Sequence, residues 1–422
     1  MKIAFYTLGC KVNQYETQSL RELFEKKGHT AVSHRDCFDC IIINSCTVTA
    51  ESDRKTRQLL NRFRRENPKA LIVLTGCMAQ MADEVNGINT DIIVGNTDLK
   101  RVVDLAEQGL GVTEILKHER HEKFNTPAIS DFAERTRAYI KIEDGCERYC
   151  SYCIIPYARG FVRSKPLNKI HDEAVMLASK GFKEIVLVGI NLSAYGAGEN
   201  INLCDAVDIV CSVDGIERVR LGSLEPDHIS NEMLMRFKAQ GKFCPQFHLS
   251  LQSGSDSVLK RMNRHYDSAF YEDLVTRIRA IFPNASISTD IMVGFPQESE
   301  EEFEESLEFA RKISFAKTHV FAYSRRKGTV ADKMEGQISN QVKKARSQKM
   351  IAVTNKSESE FLQALVGETV LVLFETNENG NWIGYTENYA RVEAESSENL
   401  AGKLGNVKII LANADTCKGE LV

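Results

Sequence analysis

Hydrophobic residues in the first 110 positions fall into short runs separated by amphipathic stretches. The apolar runs are residues 3–8, 40–44, 71–75 and 91–94, and helical periodicity occupies residues 14–27, 51–65 and 99–107. Such alternation predicts a parallel sheet with helices on its faces. We therefore predict an open parallel α/β domain over residues 1–115, followed by a polar linker over residues 116–135.

The next segment repeats the strand–helix alternation six times. Candidate strands are residues 138–143, 184–190, 218–222, 247–251, 286–292 and 318–323, separated by helical stretches such as 168–180, 230–239, 271–282 and 300–312. Six consecutive units predict a full or partial barrel whose site lies at the carboxyl ends of the strands. We assign residues 136–358 to this α/β barrel and its trailing charged helix.

The last segment, residues 359–422, is predicted to form a small β-barrel. Its short strands are residues 369–374, 382–387, 390–393 and 405–412, and turn residues such as Asn379 and Gly380 separate them. From Glu360 onward it carries ten acidic and four basic residues, a balance that disfavours phosphate binding. Either an aromatic face contacts RNA, with Trp382, Tyr385 and Tyr389 available, or the segment recognises the rest of the chain.

Composition narrows the class of protein. The chain has 422 residues, of which 43% are hydrophobic, and this length suggests about three domains. No apolar run reaches the roughly 18–20 residues that span a bilayer, and the start MKIAFYTLGC is unlike a signal peptide. We therefore expect a cytoplasmic protein without a membrane partner. Its twelve cysteines then favour metal binding or catalysis over disulfides, because the cytosol keeps thiols reduced.

The segment GCERYCSYC places Cys146, Cys150 and Cys153 in a CxxxCxxC loop just after the first predicted barrel strand. Three thiolates can hold three irons of a [4Fe–4S] cluster and leave the fourth iron open. An open coordination position is typical of a catalytic metal site. A zinc site would need a fourth nearby Cys or His, which this loop lacks.

Three other cysteines share a local setting although they are far apart in sequence. Cys10, Cys46 and Cys77 each follow a predicted strand, in YTLGC, IIINSC and VLTGC. Because the carboxyl ends of parallel strands line one sheet edge, we expect these thiols to converge on a second cluster with an open iron. Ordinary buried thiols are the alternative. Cys37 and Cys40 form a CxxC at the opposite edge and are predicted not to be ligands.

The CxxxCxxC loop that opens a strand–helix barrel resembles the radical-SAM superfamily. The two three-cysteine sites, in this order and with a terminal β-barrel, resemble its methylthiotransferases. The motifs that carry the resemblance are LGCKVNQYET, NSCTVTAESDRK, TGCMAQ, PYARGFVRS, GSLEP, HLSLQSGSDSVLKRMNR, TDIMVGFPQES and YSRRKGT. It implies an N-terminal methylthiotransferase domain, a partial (βα)6 radical-SAM barrel and an OB-like TRAM domain. LGCKVNQYET is similar to the branch that acts on N6-threonylcarbamoyladenosine in tRNA, the MtaB type.

The resemblance implies two [4Fe–4S] clusters and S-adenosylmethionine (SAM) as cofactors. One SAM would methylate sulfur held at the cluster of Cys10, Cys46 and Cys77. A second SAM, at the other cluster, would yield a radical that removes hydrogen from adenine C2, where the methylthio group is then attached. The expected product is 2-methylthio-N6-threonylcarbamoyladenosine at tRNA position 37. The expected partners are a tRNA anticodon stem-loop, a flavodoxin- or ferredoxin-type electron donor and a sulfur source.

Candidate contacts surround these clusters. Residues at strand ends that could bind SAM are Tyr152, Gly189, Asn191, Ser223, Glu225, Gln252, Asp290 and Val293. The carboxylates among them could equally cap helices. Basic residues that could hold RNA phosphates are Arg54, Arg57, Arg159, Arg163 and Arg325. Solvated helix faces are the alternative for each arginine.

Two other functions stay open. The same chemistry could act on isopentenyl-adenosine in tRNA or on an aspartate of a ribosomal protein, and mainly LGCKVNQYET argues against this. A protein of another class, a non-catalytic iron–sulfur electron carrier or RNA-binding protein, is disfavoured because electron carriers usually have fully ligated clusters.

Overall fold

The computed structural model describes residues 1–81, 85, 87–109, 111–132 and 135–422. The strands of its first part are β1 (Lys2–Thr7), β2 (Thr30–Val32), β3 (Cys40–Ser45), β4 (Leu71–Gly76), β5 (Ile92–Val94) and β6 (Val112–Glu114). Its helices are α1 (Lys11–Lys26), α2 (Ala50–Glu66), α3 (Cys77–Gln80) and α4 (Leu99–Gln108). The strands form one parallel sheet in the order β2-β1-β3-β4-β5-β6, so the predicted open sheet is confirmed.

Both faces of this sheet are covered by helices. In β3, Ile42 packs with the buried side chains of α1 and α4, whereas Ile41 and Ile43 pack with those of α2. Side chains alternate between the faces of a strand, so a strand buried on both faces becomes a continuous apolar run. The edge strands β2 and β6 were not predicted, because their residues are partly exposed and form no continuous apolar run such as that of β5.

The second part contains all six predicted strand–helix repeats. Its strands are β7 (Arg137–Lys141), β8 (Glu143–Asp144), β9 (Arg163–Ser164), β10 (Glu184–Val188), β11 (Arg218–Leu221), β12 (Ser223–Leu224), β13 (Gln246–Leu249), β14 (Ser286–Val293) and β15 (Lys317–Ala322). Its helices are α5 (Ile155–Arg159), α6 (Leu167–Ser179), α7 (Leu203–Cys211), α8 (Asn231–Ala239), α9 (Asp256–Arg261), α10 (Ser268–Ile281) and α11 (Glu300–Ile313). Parallel sheets β11-β10-β7 and β12-β13-β14-β15 form the wall, and within residues 135–422 β7 does not pair with β15. The barrel is therefore partial.

A long helix, α12 (Asn340–Gln363), leads to the last part of the chain. Its strands are β16 (Thr369–Glu378), β17 (Asn381–Thr386), β18 (Arg391–Glu395), β19 (Leu404–Ala412) and β20 (Cys417–Leu421). They close into a barrel in the order β16-β17-β18-β20-β19, which confirms the predicted β-barrel. Asn379 and Gly380 both have positive φ, as a two-residue hairpin turn requires. Among the described residues, no helix is both long and apolar enough to cross a membrane.

The aromatic residues of the terminal barrel are committed to contacts within the chain. The Arg137 guanidinium lies 4.9 Å from the ring centres of both Tyr385 and Tyr389. It also pairs with Glu375 at 2.6 Å. Trp382 is buried in the terminal barrel's own core. Of the two roles left open for this acidic segment, the structure supports recognition of the rest of the chain.

Candidate functional site

Three cysteines of the first sheet lie at the carboxyl ends of neighbouring strands. Cys10 precedes α1, Cys46 follows β3, and Cys77 begins α3 directly after β4. Because β1, β3 and β4 are adjacent in the sheet, these ends lie side by side at one edge. We call Cys10, Cys46 and Cys77 site 1.

Two glycines let the backbone close around site 1. Gly9 has a φ of +105°, and a Cβ atom there would lie 3.2 Å from Cys46 Sγ. Gly76 has a φ of +90°, and its Cβ would lie 2.5 Å from the carbonyl oxygen of Ser45. Asn13 Nδ2 donates to that same carbonyl at 2.9 Å. Glycine's freedom at positive φ and this hydrogen bond hold α1 against the end of β3.

The thiols of site 1 affect one another. Burial raises the pKa of Cys77 to about 12 and also raises the pKa of Cys46. The negative charge of a Cys10 thiolate would raise both pKa values further, whereas the Arg159 guanidinium lowers them. Contacts join two of the thiols: Cys10 Sγ lies 3.8 Å from Asn13 Oδ1, which accepts from Arg159 at 2.8 Å, and Arg159 donates to Cys77 Sγ. Since cysteines bind metals as thiolates, iron binding here must displace protons.

The other three cysteines lie in the loop between β8 and α5. We call Cys146, Cys150 and Cys153 site 2. The Cys153 N–H donates to the carbonyl of Cys150 at 2.9 Å, which tightens the loop. Gly145, with a φ of +90°, opens it at a point where a Cβ atom would collide with the carbonyl oxygen of Phe161. Burial raises the pKa of Cys146 to about 12.

Three buried side-chain oxygen atoms near strand ends of the central barrel have no hydrogen-bond partner among the described residues. Glu143 Oε2 accepts the backbone N–H of Asn191 at 2.7 Å, and a Cβ atom on Gly189 would lie 2.5 Å from this oxygen. Within the described part of the chain, Glu143 Oε1, Asn191 Oδ1 and Gln252 Oε1 are buried and accept no hydrogen bond. Burial raises the pKa of Glu143 to about 8. Buried acceptors normally have donors, so these oxygen atoms suit a ligand that donates hydrogen bonds.

A cavity of about 740 Å³ runs from Cys10 along strands of the central barrel to the terminal barrel. Cys10 borders it together with the predicted SAM contacts Gly189, Ser223 and Asp290. Asp290 lies 3.2 Å from His248 Nε2, which also borders the cavity. The volume lies within the range of small-molecule sites. One site 1 cysteine and three predicted SAM contacts therefore face the same space.

The other predicted SAM contacts have different surroundings. Arg264 donates to the Tyr152 hydroxyl at 3.4 Å, pairs with Glu225 and donates to Cys150 Sγ at 3.2 Å. Val293 is 1% exposed and packs in the hydrophobic core. Sequence reasoning missed Arg264 and Glu143, since no pattern in the chain separates a buried cluster neighbour from an ordinary charged residue.

Two of the five predicted RNA contacts have no access to RNA. The side chains of Arg159 and Arg163 are 0% and 5% exposed. Arg159 Nε donates to Cys77 Sγ at 3.1 Å, and Arg163 donates to the Arg159 carbonyl at 3.1 Å. The predicted phosphate contacts of both are corrected for this reason: their guanidinium groups are used inside the protein.

The other three arginines remain predictions for RNA binding. Arg54 pairs with Glu51 and Arg325 pairs with Asp332, yet their side chains are 57% and 61% exposed. Arg57 is half-buried on α2. Surface ion pairs are weak, so Arg54 and Arg325 can exchange their partners for phosphates.

The donor sets fit iron–sulfur clusters and SAM. Among the residues that the structure describes, no group of His, Cys, Asp or Glu is arranged around a single metal ion. A [4Fe–4S] cluster instead binds each thiolate through a different iron, so its ligands surround it. Sites 1 and 2 each offer three thiols for such binding. The unpartnered oxygens of Glu143, Asn191 and Gln252 suit the ammonium and hydroxyl groups of SAM.

Known families match both the first sheet and the central barrel. Residues 2–95 match the family described as uncharacterized protein family UPF0004, and residues 140–310 match the radical SAM superfamily. Among solved structures, the radical S-adenosylmethionine methyltransferase TsrM from Kitasatospora setae aligns with a TM-score of 0.58 at 15% identity. That alignment covers 78% of this chain and 73% of TsrM, and it establishes similarity of fold alone.

Curated relatives match over nearly the full length. The threonylcarbamoyladenosine tRNA methylthiotransferase MtaB of Bacillus subtilis is 36% identical over 100% of this chain and 96% of its own. The MtaB of Aquifex aeolicus is 38% identical over 97% and 100%. The tRNA-2-methylthio-N6-dimethylallyladenosine synthase of Clostridium botulinum (strain Loch Maree) is 35% identical over 98% and 95%.

Proposed function

This chain belongs to the tRNA methylthiotransferases of the radical-SAM superfamily, and we propose that it acts on N6-threonylcarbamoyladenosine at tRNA position 37. As a member it is an enzyme that catalyses sulfur insertion, with SAM and a [4Fe–4S] cluster as cofactors. The proposal adds the substrate nucleoside, a second cluster at site 1 and the roles of individual residues.

The shared cavity is the observation that carries the two-cluster proposal. Cys10 borders the same space as Gly189, Ser223 and Asp290. A carbon radical must meet sulfur directly, so the site that holds sulfur and the site that makes the radical have to open on one space. The cavity is bordered by Cys10 of the first segment and by strands of the central barrel, and it extends to the terminal barrel at Tyr385 and Tyr389. It supplies such a space for the target adenine.

The residues of the chain would bind, orient and shield the reactants. Cys146, Cys150 and Cys153 would hold a cluster that with SAM would supply a 5′-deoxyadenosyl radical, and Cys10, Cys46 and Cys77 would hold a cluster that would bind the sulfur. Glu143, Asn191 and Gln252 would accept hydrogen bonds from SAM. The cavity walls would keep water from the reacting carbon.

The net reaction determines which other molecules the enzyme requires. The C2–H bond of adenine breaks and a C2–SCH3 group takes its place. One SAM gives its methyl group to the sulfur and leaves as S-adenosylhomocysteine. The other takes one electron from a donor and the hydrogen atom from C2, and leaves as methionine and 5′-deoxyadenosine. Bonding of the methylthio sulfur to the C2 radical releases one electron, which a cluster at site 1 would accept. The enzyme therefore needs a sulfur source and a one-electron donor of flavodoxin or ferredoxin type, and we assign it to the cytoplasm, where these partners and tRNA meet.

The anticodon stem-loop would bind beside site 1. The N–H of Ala50, at the start of α2, donates to Ser324 Oγ at 3.0 Å, so α2 and the loop after β15 lie side by side. Arg54, Arg57 and Arg325 belong to these two elements. Their guanidinium groups would hold phosphates while the unpaired base enters the cavity.

Relatives that act on two different nucleosides make the substrate the point to test. The dimethylallyladenosine synthase is 35% identical to this chain, close to the 36–38% of the MtaB enzymes. The segment LGCKVNQYET favours threonylcarbamoyladenosine. Dimethylallyladenosine in tRNA is the second candidate, and its flat hydrocarbon substituent lacks the carboxylate of the threonyl group.

Nucleoside mass spectrometry tests the proposal. Anaerobically reconstituted enzyme would be incubated with SAM, a reductant, sulfide and tRNA carrying either threonylcarbamoyladenosine or dimethylallyladenosine, with unmodified tRNA as control. A methylthio adduct on threonylcarbamoyladenosine alone is expected. An adduct on the other nucleoside alone would overturn the substrate assignment. SAM cleavage without an adduct on any tRNA would point to a protein substrate.

A further inference from the structure

Each cysteine site touches a buried arginine. Arg159 Nε donates to Cys77 Sγ at 3.1 Å, and an Arg264 guanidinium nitrogen donates to Cys150 Sγ at 3.2 Å. The side chains of the two arginines are 0% and 2% exposed. Two unrelated scaffolds thus place the same donor against one ligand sulfur.

Other partners fix both guanidinium groups in place. Arg159 donates to Asn13 Oδ1 at 2.8 Å and pairs with Glu16, both on α1. Arg264 donates to the Tyr266 hydroxyl at 2.8 Å and pairs with Glu225. An arginine held at both ends of its planar fork cannot swing away, so its N–H stays directed at the sulfur.

Arg159 also connects the two sites. It belongs to α5, which follows site 2, yet it reaches Cys77 of site 1. A second nitrogen lies 3.5 Å from Asp144, which directly precedes the glycine that opens the site 2 loop. Asp144 is held in turn by Lys141 at 2.6 Å. The hydrogen bond to site 1 therefore exists only when the central barrel is docked on the first sheet.

We infer that Arg159 and Arg264 are positioning residues that raise the reduction potentials of the site 1 and site 2 clusters, each through one ligand sulfur. Reduction adds an electron to a cluster, and a nearby positive charge that donates to sulfur favours the reduced state. The inference rests on the proposed function, because it requires a cluster at site 1.

The test separates the clusters in the full-length chain. One background replaces the three cysteines of site 2 with alanine, leaving site 1 alone, and the other does the reverse. Arg159→Met and Arg264→Met are placed in both backgrounds. Each reconstituted protein is titrated with reductant and followed by electron paramagnetic resonance, which measures the midpoint potential without reference to activity.

The expected result is a crossed pattern. In the site 1 background Arg159→Met lowers the ratio of reduced to oxidised cluster at fixed potential about tenfold, which is a shift of about 59 mV for one electron. Arg264→Met leaves that potential unchanged. In the site 2 background the two variants exchange roles. Equal shifts from both variants, or no shift, would overturn the inference.

A further variant controls for the possibility that Arg159→Met destabilises the fold. Arg159→Met leaves Glu16 with one fewer cation in a buried position, so the double variant Arg159→Met/Glu16→Gln removes both charges. Its site 1 potential should still fall, by a smaller amount, because the hydrogen bond to Cys77 is lost. A potential equal to that of the unsubstituted background would overturn the role of Arg159. A site 1 background that takes up no iron would overturn the two-cluster function together with that role, while the Arg264 result would stand by itself.

Discussion

Sites 1 and 2 offer the same three thiols on different scaffolds. The cysteines of site 2 lie within one loop of eight residues, 146–153, whereas those of site 1 are spread over residues 10–77. Site 2 can approach its ligand geometry by local turns. Site 1 exists only when β1, β3 and β4 pair in register. The comparison teaches that one set of ligands depends on a loop and the other on a whole sheet.

The two sites also differ in which reaction steps should be lost when one of their cysteines is replaced. Glu143, whose unpartnered oxygen suits SAM, stands three residues before Cys146 of site 2, whereas site 1 borders the cavity through Cys10. If site 2 makes the radical and site 1 holds the sulfur that is methylated, SAM cleavage to 5′-deoxyadenosine requires site 2 alone, whereas formation of the methylthio product requires both sites. Substitutions should therefore rank in severity by site.

Loss of a site 2 ligand should have the largest effect. Cys150→Ala removes one of three thiolates in the loop and also the sulfur that Arg264 contacts. We expect both SAM cleavage and methylthio product to fall to background, as measured by mass spectrometry of 5′-deoxyadenosine and of digested tRNA. Undiminished 5′-deoxyadenosine from this variant would contradict the assignment of site 2.

Loss of a site 1 cysteine should abolish the methylthio product while 5′-deoxyadenosine still forms. Cys46→Ala leaves site 2 and its SAM pocket unchanged, so 5′-deoxyadenosine should still form at a rate near that of the wild type. Methylthio product should fall to background, because two thiols hold the site 1 cluster poorly. The same two mass measurements check this. Product at the wild-type level would contradict a role for site 1 in sulfur transfer.

Features that depend on residues close together in the chain could be predicted from the sequence. The CxxxCxxC loop and all six barrel strands could be predicted because each depends on residues close together in the chain. Cys10, Cys46 and Cys77 required one further rule, that parallel strand ends share an edge. The short strand β20 and the edge strands of the first sheet have no recognisable sequence pattern, and they were not predicted.

Residues whose roles depend on packing could not be predicted. Arg159 stands in PYARG near other basic residues, and its charge alone favours a solvent-exposed role. Only the docking of α5 against α1 buries it between Glu16 and Cys77. Tyr385 and Tyr389 were likewise compatible with RNA binding until the terminal barrel was seen to place them around Arg137.

Replacement of a glycine beside site 1 should reduce, but not abolish, iron binding at that site. In Gly76→Ala the added Cβ would lie 2.5 Å from the carbonyl oxygen of Ser45 at a φ of +90°. We expect about 1–3 kcal/mol of lost stability and reduced iron at site 1, measured by thermal unfolding and iron content. Gly28→Ala is the matched control, because its φ is +83° and its Cβ would contact nothing within 4 Å. Equal losses in both variants would mean that strain alone, and not the closeness of the strand ends, is responsible.

The smallest effect is expected for Cys37, at the amino end of β3. Cys37 is exposed and precedes β3, whereas Cys46 follows it, and six residues of extended chain separate these ends by roughly 20 Å. Cys37→Ala should therefore leave iron content and methylthio product unchanged and alter stability by less than about 0.5 kcal/mol. Iron analysis of the chain that lacks the site 2 cysteines gives the sharper measurement, since it counts site 1 iron alone. A loss of iron there would mean that the ligands of the first sheet are not the three at its carboxyl edge, and the contrast between a loop site and a sheet-edge site would have to be abandoned.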